Sequence, residues 1–488
     1  MKKLICFALI LNSLSVFAGY QETELAQYAD LAIEKKKYDS AIILLNALLK
    51  NYPDKEIYLS KRGAVYYQAG MFEKAEEDLT KVLTLSERKK EILNYLGLIN
   101  YKKKNYAQAL KYFSDGIDLY PDSFDGFYNR GLVYYQTGEY GLSEKDFLEA
   151  KKKAPDLIEA EYQLGLVCYQ KKEFEKSQAA FSRFLEKKPD FAEGYNNRGL
   201  SYYASGLFDQ ALSDFLKAIA LKKDEGVYYD NAGLVYLIYN EYEKAYELFE
   251  KASVLSPVFD KPYYHKGLIF YCQEKYQEAV QEYGKAVHLN NENGYFYNSR
   301  GNAFFYLNQF ENAEKDYLKA IEILKNYSSA YYNLANTYDK MGQREKILFL
   351  YNQSISLNPE DGWFYHNRGR YYFKEKDYQN ALKDFEKAVE LNPADEKSLF
   401  SKSLVLFNLG NYLEAVKGFE YLFYQGSLKN LFEVDFQKDE SLQKDYSESE
   451  SIKKEIGFYL YLCFDKMNDE NGKKSYQNFY NDKKRDSL

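Results

Sequence analysis

Residues 362–395 read GWFYHNRGRYYFKEKDYQNALKDFEKAVELNPAD, a 34-residue segment that specifies a helical hairpin. Its first half carries Gly369 on one amphipathic run, and its second half, after a short polar break, carries Ala381 on another. Small residues at these two places allow antiparallel helices to approach closely, while the aromatic residues fill the space between them. Pro393 ends the second run, because proline lacks an N–H and its ring clashes with the preceding turn.

The same 34-residue pattern recurs without insertion or deletion from Glu22 to Lys429, which gives twelve repeats. Positions within a repeat are numbered 1 to 34, so that Glu22 and Gly362 both occupy position 1. Position 8 is small in every repeat: Ala29, Gly63, Gly97, Gly131, Gly165, Gly199, Gly233, Gly267, Gly301, Ala335, Gly369 and Ser403. Seven of the eight prolines fall at position 32: Pro53, Pro121, Pro155, Pro189, Pro257, Pro359 and Pro393.

This pattern resembles the tetratricopeptide repeat, in which an aromatic residue, Gly, Tyr, Ala-x3-Phe and Pro follow one another at fixed spacing. The resemblance extends over residues 22–429. It implies an all-α fold, a right-handed superhelical solenoid of about twelve 34-residue helix-turn-helix repeats followed by C-terminal capping helices. The tenth repeat departs most from the pattern, since Arg344 replaces an aromatic residue and Ile347 replaces a small one. We expect a kink or a joint there.

The segments outside the repeats have their own expected roles. Residues 1–18, with two lysines before an apolar stretch and a Val-Phe-Ala end, are typical of a cleaved secretory signal peptide. Residues 430–450 predict an acidic loop with a short helix, and residues 451–488 predict helices that cap the open end of the array. A dedicated partner site in this last region is the alternative.

Composition and motifs exclude several classes of function. The net charge is −7 and no basic stripe is present, so nucleic-acid binding is not expected. Cys168, Cys272 and Cys463 do not form a disulfide framework, and the three histidines lack metal-ligand spacing. No phosphate loop or nucleophile motif occurs. We therefore predict no enzyme activity, no catalytic residues, no metal and no cofactor.

Charged residues at positions 7 and 23 vary together from repeat to repeat. Arginine at position 7 coincides with aspartate at position 23 in five repeats: Arg62 with Asp78, Arg130 with Asp146, Arg198 with Asp214, Arg300 with Asp316, and Arg368 with Asp384. Repeat 8 keeps the pairing with Lys266 and Glu282, whereas Lys402 of repeat 12 faces Gly418. Independent solvated charges would not vary together, so we predict salt bridges between the two helices of a hairpin.

The resemblance also implies a groove lined by positions 2, 5, 6, 9, 12 and 13 of the first helices. Five asparagines occupy position 6: Asn129, Asn197, Asn231, Asn333 and Asn367. Asparagine amides can bind a peptide backbone without reading its side chains, although a solvated asparagine near a helix start is the alternative. A tyrosine stripe at position 12 includes Tyr135, Tyr169, Tyr203 and Tyr271, and its alternative role is packing between adjacent first helices.

These features predict a non-enzymatic scaffold that binds segments of partner proteins in the groove. The signal peptide and the Lys/Tyr/Asn-rich composition favour an exported protein of the bacterial periplasm or cell envelope, without a membrane span after cleavage and with possible cell-wall contact. A cell-wall or glycan-binding protein that uses the tyrosine-rich groove is the alternative. The basic residues of a clamp for a partner's terminal carboxylate are absent: Asn298, Trp363 and Asn367 occupy those places.

Overall fold

The computed structural model describes residues 22–85, 89–425 and 448–486, and within these ranges the protein consists of α-helices and contains no β-strand. The chain forms two compact units, Met1–Ser256 and Pro257–Leu488. The predicted signal peptide and most of the predicted acidic loop lie outside the described residues. The expectation of an all-helical repeat fold is confirmed.

Each repeat contributes two helices, a first helix of 13 or 14 residues and a second helix of up to 14 residues. The helices of the first unit are α1 Glu22–Glu34, α2 Tyr38–Asn51, α3 Glu56–Gln68, α4 Phe72–Leu85, α5 Lys89–Lys102, α6 Tyr106–Leu119, α7 Phe124–Gln136, α8 Tyr140–Lys153, α9 Ile158–Gln170, α10 Phe174–Lys187, α11 Ala192–Ala204, α12 Phe208–Leu221, α13 Gly226–Ile238 and α14 Tyr242–Leu255. Those of the second unit are α15 Asp260–Cys272, α16 Tyr276–Leu289, α17 Gly294–Tyr306, α18 Phe310–Ile323, α19 Ser328–Lys340, α20 Ile347–Leu357, α21 Gly362–Lys374, α22 Tyr378–Leu391, α23 Glu396–Asn408, α24 Tyr412–Gln425, α25 Glu448–Lys466 and α26 Glu470–Asp486.

The small residue at position 8 marks the point where the two helices of a hairpin meet. A Cβ atom added at Gly97 would lie 2.4 Å from the ring of Phe113, and one added at Gly233 would lie 2.6 Å from the ring of Phe249. Both rings are buried. The close approach inferred from the sequence is therefore present, and the ring at position 24 occupies the volume that a larger residue at position 8 would need.

A left-handed residue at position 15 joins the two helices of every repeat. The torsion angle φ lies between 54° and 82° at all twelve of these residues: Lys36, Gly70, Lys104, Gly138, Lys172, Gly206, Asn240, Glu274, Asn308, Gly342, Lys376 and Gly410. The next residue donates its N–H to a carbonyl of the helix just ended, as Met71 does to Tyr66 at 2.8 Å. This αL ending satisfies carbonyl groups that the helix leaves free and reverses the chain within three residues.

The second helix of repeat 10 begins irregularly, at the place where the sequence departs from the pattern. Residues Arg344–Lys346 form a 3₁₀ turn, and α20 starts only at Ile347. The side chain of Ile347 is fully buried. A larger residue at the helix contact therefore accompanies a shorter α-helix, whereas the boundary between the two compact units lies elsewhere, after Ser256.

Two helices beyond the last repeat cover its apolar surface. α25 packs on α24, and α26 packs on α25. The ring of Tyr459 stacks on Phe419 with 5.5 Å between ring centroids, and Ile456 and Leu460 are fully buried in the same cluster. These contacts are those expected of a capping layer, since an uncovered final repeat would leave core residues in water.

Candidate partner-binding face

Within each compact unit, first helices of neighbouring repeats contact one another. In the first unit these contacts connect α3, α5, α7, α9, α11 and α13, and in the second unit they connect α17 with α19 and α21 with α23. Positions 2, 5, 6, 9, 12 and 13 follow the i, i+3, i+4, i+7 pattern of an α-helix, so they share one side of it. This side is called the first-helix face below.

Four of the five predicted asparagines link their own repeat to the preceding one. The Nδ2 atom of Asn129 donates to Asn94 Oδ1 at 2.6 Å, and that of Asn197 donates to the Tyr162 hydroxyl at 2.9 Å. Asn231 donates to Asn196 Oδ1 in the same way, at 2.7 Å. In each case the acceptor lies at position 5, 35 residues earlier. The amides therefore fix one repeat against the next.

The remaining two asparagines differ in how much of the amide a partner can reach. Asn333 uses both N–H groups, on Asn298 Oδ1 at 3.0 Å and Asn302 Oδ1 at 2.9 Å, so its carbonyl oxygen is the group left for a partner. Asn367 donates to the Trp363 carbonyl at 2.7 Å and is 4% exposed. Asn231 is buried as well, whereas Asn129, Asn197 and Asn333 are half-buried.

The four predicted tyrosines at position 12 are half-buried, and each packs against the aromatic residue at position 17 of its own repeat. The ring-centroid distances are 5.7 Å for Tyr135 with Tyr140, 5.7 Å for Tyr169 with Phe174, 5.5 Å for Tyr203 with Phe208, and 5.5 Å for Tyr271 with Tyr276. The packing thus runs within each hairpin, in addition to the contacts between adjacent first helices that the sequence suggested.

Hydroxyl groups of the same stripe also reach the following repeat. Tyr135 pairs with Gln170, and Tyr271 pairs with Tyr306, whose ring lies 5.8 Å away. Burial raises the pKa of Tyr135, and its hydrogen bond with Gln170 opposes that rise. Both partners lie at position 13, 35 residues on. The four linking asparagines at position 6 and these two tyrosines at position 12 therefore each contact a residue 35 positions away, in a neighbouring repeat.

The predicted charge pairs are present in all five repeats. Arg198 holds Asp214 through Nε–Oδ2 at 2.7 Å and Nη2–Oδ1 at 2.8 Å, and its Nη1 donates to Ser182 Oγ of the preceding repeat at 3.0 Å. The ring centroids of Tyr195 and Tyr202 lie 5.5 and 5.8 Å from the guanidinium carbon. The hydrogen bond with Asp214 raises the pKa of Arg198. Asp214 is buried and Arg198 is half-buried, and their hydrogen bonds to each other and to Ser182 make them part of the scaffold.

In repeats 8 and 12 a lysine takes the place of the arginine at position 7, and it lies farther from its carboxylate. Lys266 Nζ lies 3.4 Å from Glu282 Oε2. Lys402, which lacks a carboxylate in its own repeat, lies 3.5 Å from Glu386 of the repeat before. Its charge is therefore met across the repeat boundary, a possibility that comparison within single repeats does not reveal.

One group of potential metal ligands occurs among the described residues: Glu144, Cys168 and Glu173. The ammonium of Lys171 lies 2.5 Å from Glu144 Oε2 and 2.7 Å from Glu173 Oε1, so a cation is already provided by the chain. Burial raises the pKa of the Cys168 thiol to about 11, which disfavours the thiolate that binds metals. Among the helices that the structure describes, none has the length and apolar character needed to cross a bilayer.

Two columns of the first-helix face were not singled out from the sequence. Position 2 is acidic in four consecutive repeats and position 9 is leucine in the same four: Glu91 and Leu98, Asp125 and Leu132, Glu159 and Leu166, Glu193 and Leu200. The acceptors at position 5 were missed too. Comparison of the repeats position by position could have found the two rows. Comparison of position 6 in one repeat with position 5 in the repeat before it could have found the acceptors.

Models of the tetratricopeptide repeat match residues 27–55, 60–124, 96–158, 162–226, 267–305, 301–342, 328–361 and 363–395. Together these matches span about two thirds of the chain.

A curated relative, the heat-shock protein cognate co-chaperone sgt12 of Aspergillus fumigatus, is 30% identical over 98 residues, which are 20% of this chain and 29% of the relative. The chain thus spans less than a third of that relative's length. Among solved structures, the APC/C hetero-tetramer Cut9-Hcn1 is 14% identical, with a TM-score of 0.44 and coverage of 84% of this chain and 94% of that one. Yeast Tom70 is 19% identical, with a TM-score of 0.41 and coverage of 82% and 91%. On the strength of the repeat matches, the chain belongs to the tetratricopeptide-repeat family.

Proposed function

We propose that the protein is a non-enzymatic scaffold that binds segments of partner proteins on its first-helix face, and that it works as an exported protein of the bacterial periplasm or cell envelope. The observation that carries the proposal is the construction of this face. Half-buried asparagine and tyrosine side chains recur on it at multiples of 34 residues, and neighbouring side chains hold them in place.

The fixed side chains favour binding because less conformational freedom is lost when a partner arrives. Tyr135, Tyr169 and Tyr203 each keep part of the ring accessible while the rest packs against the hairpin. Asn129 and Asn197 each use one N–H on the neighbouring repeat and retain a second N–H that can donate to a peptide carbonyl. The proposal therefore assigns partner contact to these residues, to Asn333 and to Tyr271, and a structural role to Asn231 and Asn367.

The likeness to a co-chaperone does not define the partner. The basic residues of a clamp for a terminal carboxylate are absent from repeats 9 to 11, where Asn298, Trp363 and Asn367 stand instead. Asn298 and Asn367 are also buried. We propose recognition along an extended stretch of the partner rather than at its terminus.

Cross-linking from the first-helix face tests this proposal. A photoreactive phenylalanine analogue replaces Asn129 in one variant and Glu175, an exposed residue of the second helix α10, in another. In the native envelope the first variant should form covalent adducts with defined proteins that the second variant does not form. Adducts from position 175 alone, or from neither position, would contradict the assignment of the face.

Glycan binding is the second candidate, and two exposed aromatic rings of the second unit favour it. Tyr295 is 53% exposed and Trp363 is 41% exposed, both at position 2 of a first helix. Trp363 is held flat against His366, with 5.7 Å between ring centroids and 9° between the planes. Flat, exposed rings suit stacking on sugars. Sedimentation with purified cell wall, lost on Trp363→Ala, would support this candidate over the first.

A further inference from the structure

The first-helix face of repeats 3 to 6 carries an acidic row at position 2 that the rest of the face lacks, beside a leucine row at position 9 that continues into repeats 7 and 8. The acidic row is Glu91, Asp125, Glu159 and Glu193, and the leucine row is Leu98, Leu132, Leu166 and Leu200. Each acid precedes its leucine by seven residues, which is two helical turns or about 10 Å along the helix on the same side. Neighbouring helices pack about 8–10 Å apart, so both rows advance by that distance per repeat.

The acidic row is exposed and only partly neutralised by the chain itself. Glu91, Glu159 and Glu193 are exposed, and Asp125 is half-buried. Lys90 lies 3.5 Å from Asp125, and the Tyr162 hydroxyl pairs with Glu193. For Glu91 and Glu159 the structure gives no ion pair among the described residues. Like charges repeated at this spacing repel one another, and a bound cationic group would relieve that repulsion.

The leucine row is half-buried and still presents apolar surface, while Leu98, Leu132 and Leu200 also pack against the hairpin cores. Between the two rows lie Asn129 and Asn197, whose amides are held by the preceding repeat. The surface thus has an anionic edge, a polar middle and an apolar edge, all running across consecutive helices.

The acidic row has definite ends. Position 2 is Ile57 in repeat 2 and Val227 in repeat 7, and both side chains are exposed. In the second unit the same position holds Lys261, Tyr295 and Ser329 in successive repeats. The carboxylates are therefore a property of repeats 3 to 6 and not of the repeat pattern.

From this charge complementarity we infer that repeats 3 to 6 bind a cationic amphipathic segment of another protein, with lysine or arginine side chains along the acidic row and apolar side chains along the leucine row. The inference rests on the proposed function, because it names the class of partner for the same face. Exposed ion pairs are weak one by one, but several in a row act together and make the affinity depend on salt.

The test uses the full mature chain and three fluorescein-labelled 18-residue peptides. The first is an amphipathic lysine–leucine peptide, the second has glutamate in place of lysine, and the third has serine in place of leucine. The protein variant carries Glu91→Gln, Glu159→Gln and Glu193→Gln. Its control carries Glu77→Gln, Glu175→Gln and Glu186→Gln, three exposed carboxylates of second helices, so that both variants lose the same charge.

The lysine–leucine peptide should bind the unaltered protein at least tenfold more tightly than either of the other peptides. The first-helix variant should weaken that binding about tenfold, and the second-helix control should leave it within twofold. Raising the salt from 50 to 300 mM should weaken binding to the unaltered protein more than binding to the first-helix variant.

Equal losses in the two variants, tighter binding of the glutamate peptide, or no binding of the lysine–leucine peptide would overturn the inference. The outcome is separate from that of the cross-linking experiment. Adducts from position 129 with a partner whose cross-linked segment is acidic or neutral would leave the proposed function standing and remove the cationic partner.

Discussion

Removal of Asp384 should destabilise repeat 11 far more than removal of the whole charge pair. Asp384 is 5% exposed and accepts from Arg368 Nε at 2.8 Å and from Nη2 at 2.6 Å. The guanidinium carbon lies 5.7 Å from the ring centroid of Tyr365 and 6.0 Å from that of Tyr372, so turning into water would lose both contacts. Asp384→Ala would therefore leave a half-buried guanidinium with its Asn352 contact but without its carboxylate, which costs up to about 3–5 kcal/mol.

The double variant Arg368→Leu with Asp384→Leu should recover most of that loss. Repeat 10 already places Leu334 and Leu350 at the same two positions, and both are buried. The free energy needed to remove two charged groups from water offsets much of their attraction. The equivalent pair in repeat 9, Arg300 with Asp316, illustrates this. There, burial raises the pKa of Asp316 despite its contact with Arg300. We expect the double variant to lie within about 1–2 kcal/mol of the unaltered protein.

Urea unfolding followed by tryptophan fluorescence measures this difference locally, because the single tryptophan of the chain, Trp363, lies on the same helix as Arg368. Glu390→Ala is the matched control. It removes an exposed pair with Lys387 in the same repeat, 2.8 Å long, and should change the free energy of unfolding by less than about 0.5 kcal/mol. Equal losses in the single and double variants would refute the reasoning.

Three further changes have definite expected outcomes. Gly97→Ala should lower the free energy of unfolding by about 1–3 kcal/mol, because its Cβ would lie 2.4 Å from the ring of Phe113. Gly141→Ala, whose Cβ would meet nothing within 4 Å, should raise the free energy of unfolding by about 0.5–1 kcal/mol. Thermal unfolding compares the two variants. Burial lowers the pKa of His366 to about 4, so the fold disfavours the proton and stability should fall as pH drops from about 6.5 towards 4. Between pH 7.5 and 5.5 the loss should be about 1 kcal/mol and absent in His366→Gln, as read from urea midpoints; an unchanged pH dependence would contradict this. Ile456→Asp should open the capping layer and speed amide exchange in α24, while exchange in α1 stays as before.

The fold could be predicted from the sequence because the same residue types recur at the same positions in twelve repeats, which fixes where each helix begins and ends. Gly97 and Phe113 recur at a fixed distance in the chain, so the helix contact follows from comparing repeats. The charge pairs were readable for the same reason. The left-handed residue at position 15 was not anticipated, since glycine, lysine, asparagine and glutamate all occupy it and residue type alone hides the shared conformation.

The candidate site was harder to predict because its contacts cross repeat boundaries. Asn197 was readable as a possible peptide ligand, but its bond to Tyr162 depends on the offset between neighbouring helices, which no single repeat contains. Tyr135 is similar: its contact with Tyr140 lies within the hairpin, and its contact with Gln170 lies in the next one. Side-chain partners of this kind follow from helix packing, whereas the sequence pattern specifies only which residues share a face.

The offset of one residue between linked repeats has an evolutionary consequence. Loss of residues 158–191, one whole period, would bring Asn197 opposite Tyr128, which occupies the place of Tyr162 and offers the same hydroxyl group. The new junction would therefore already have a hydroxyl group in place to accept a hydrogen bond from Asn197. Such an array can lengthen or shorten by duplication or excision of entire periods, and a lineage can thereby adjust the reach of its binding surface without inventing a new joint.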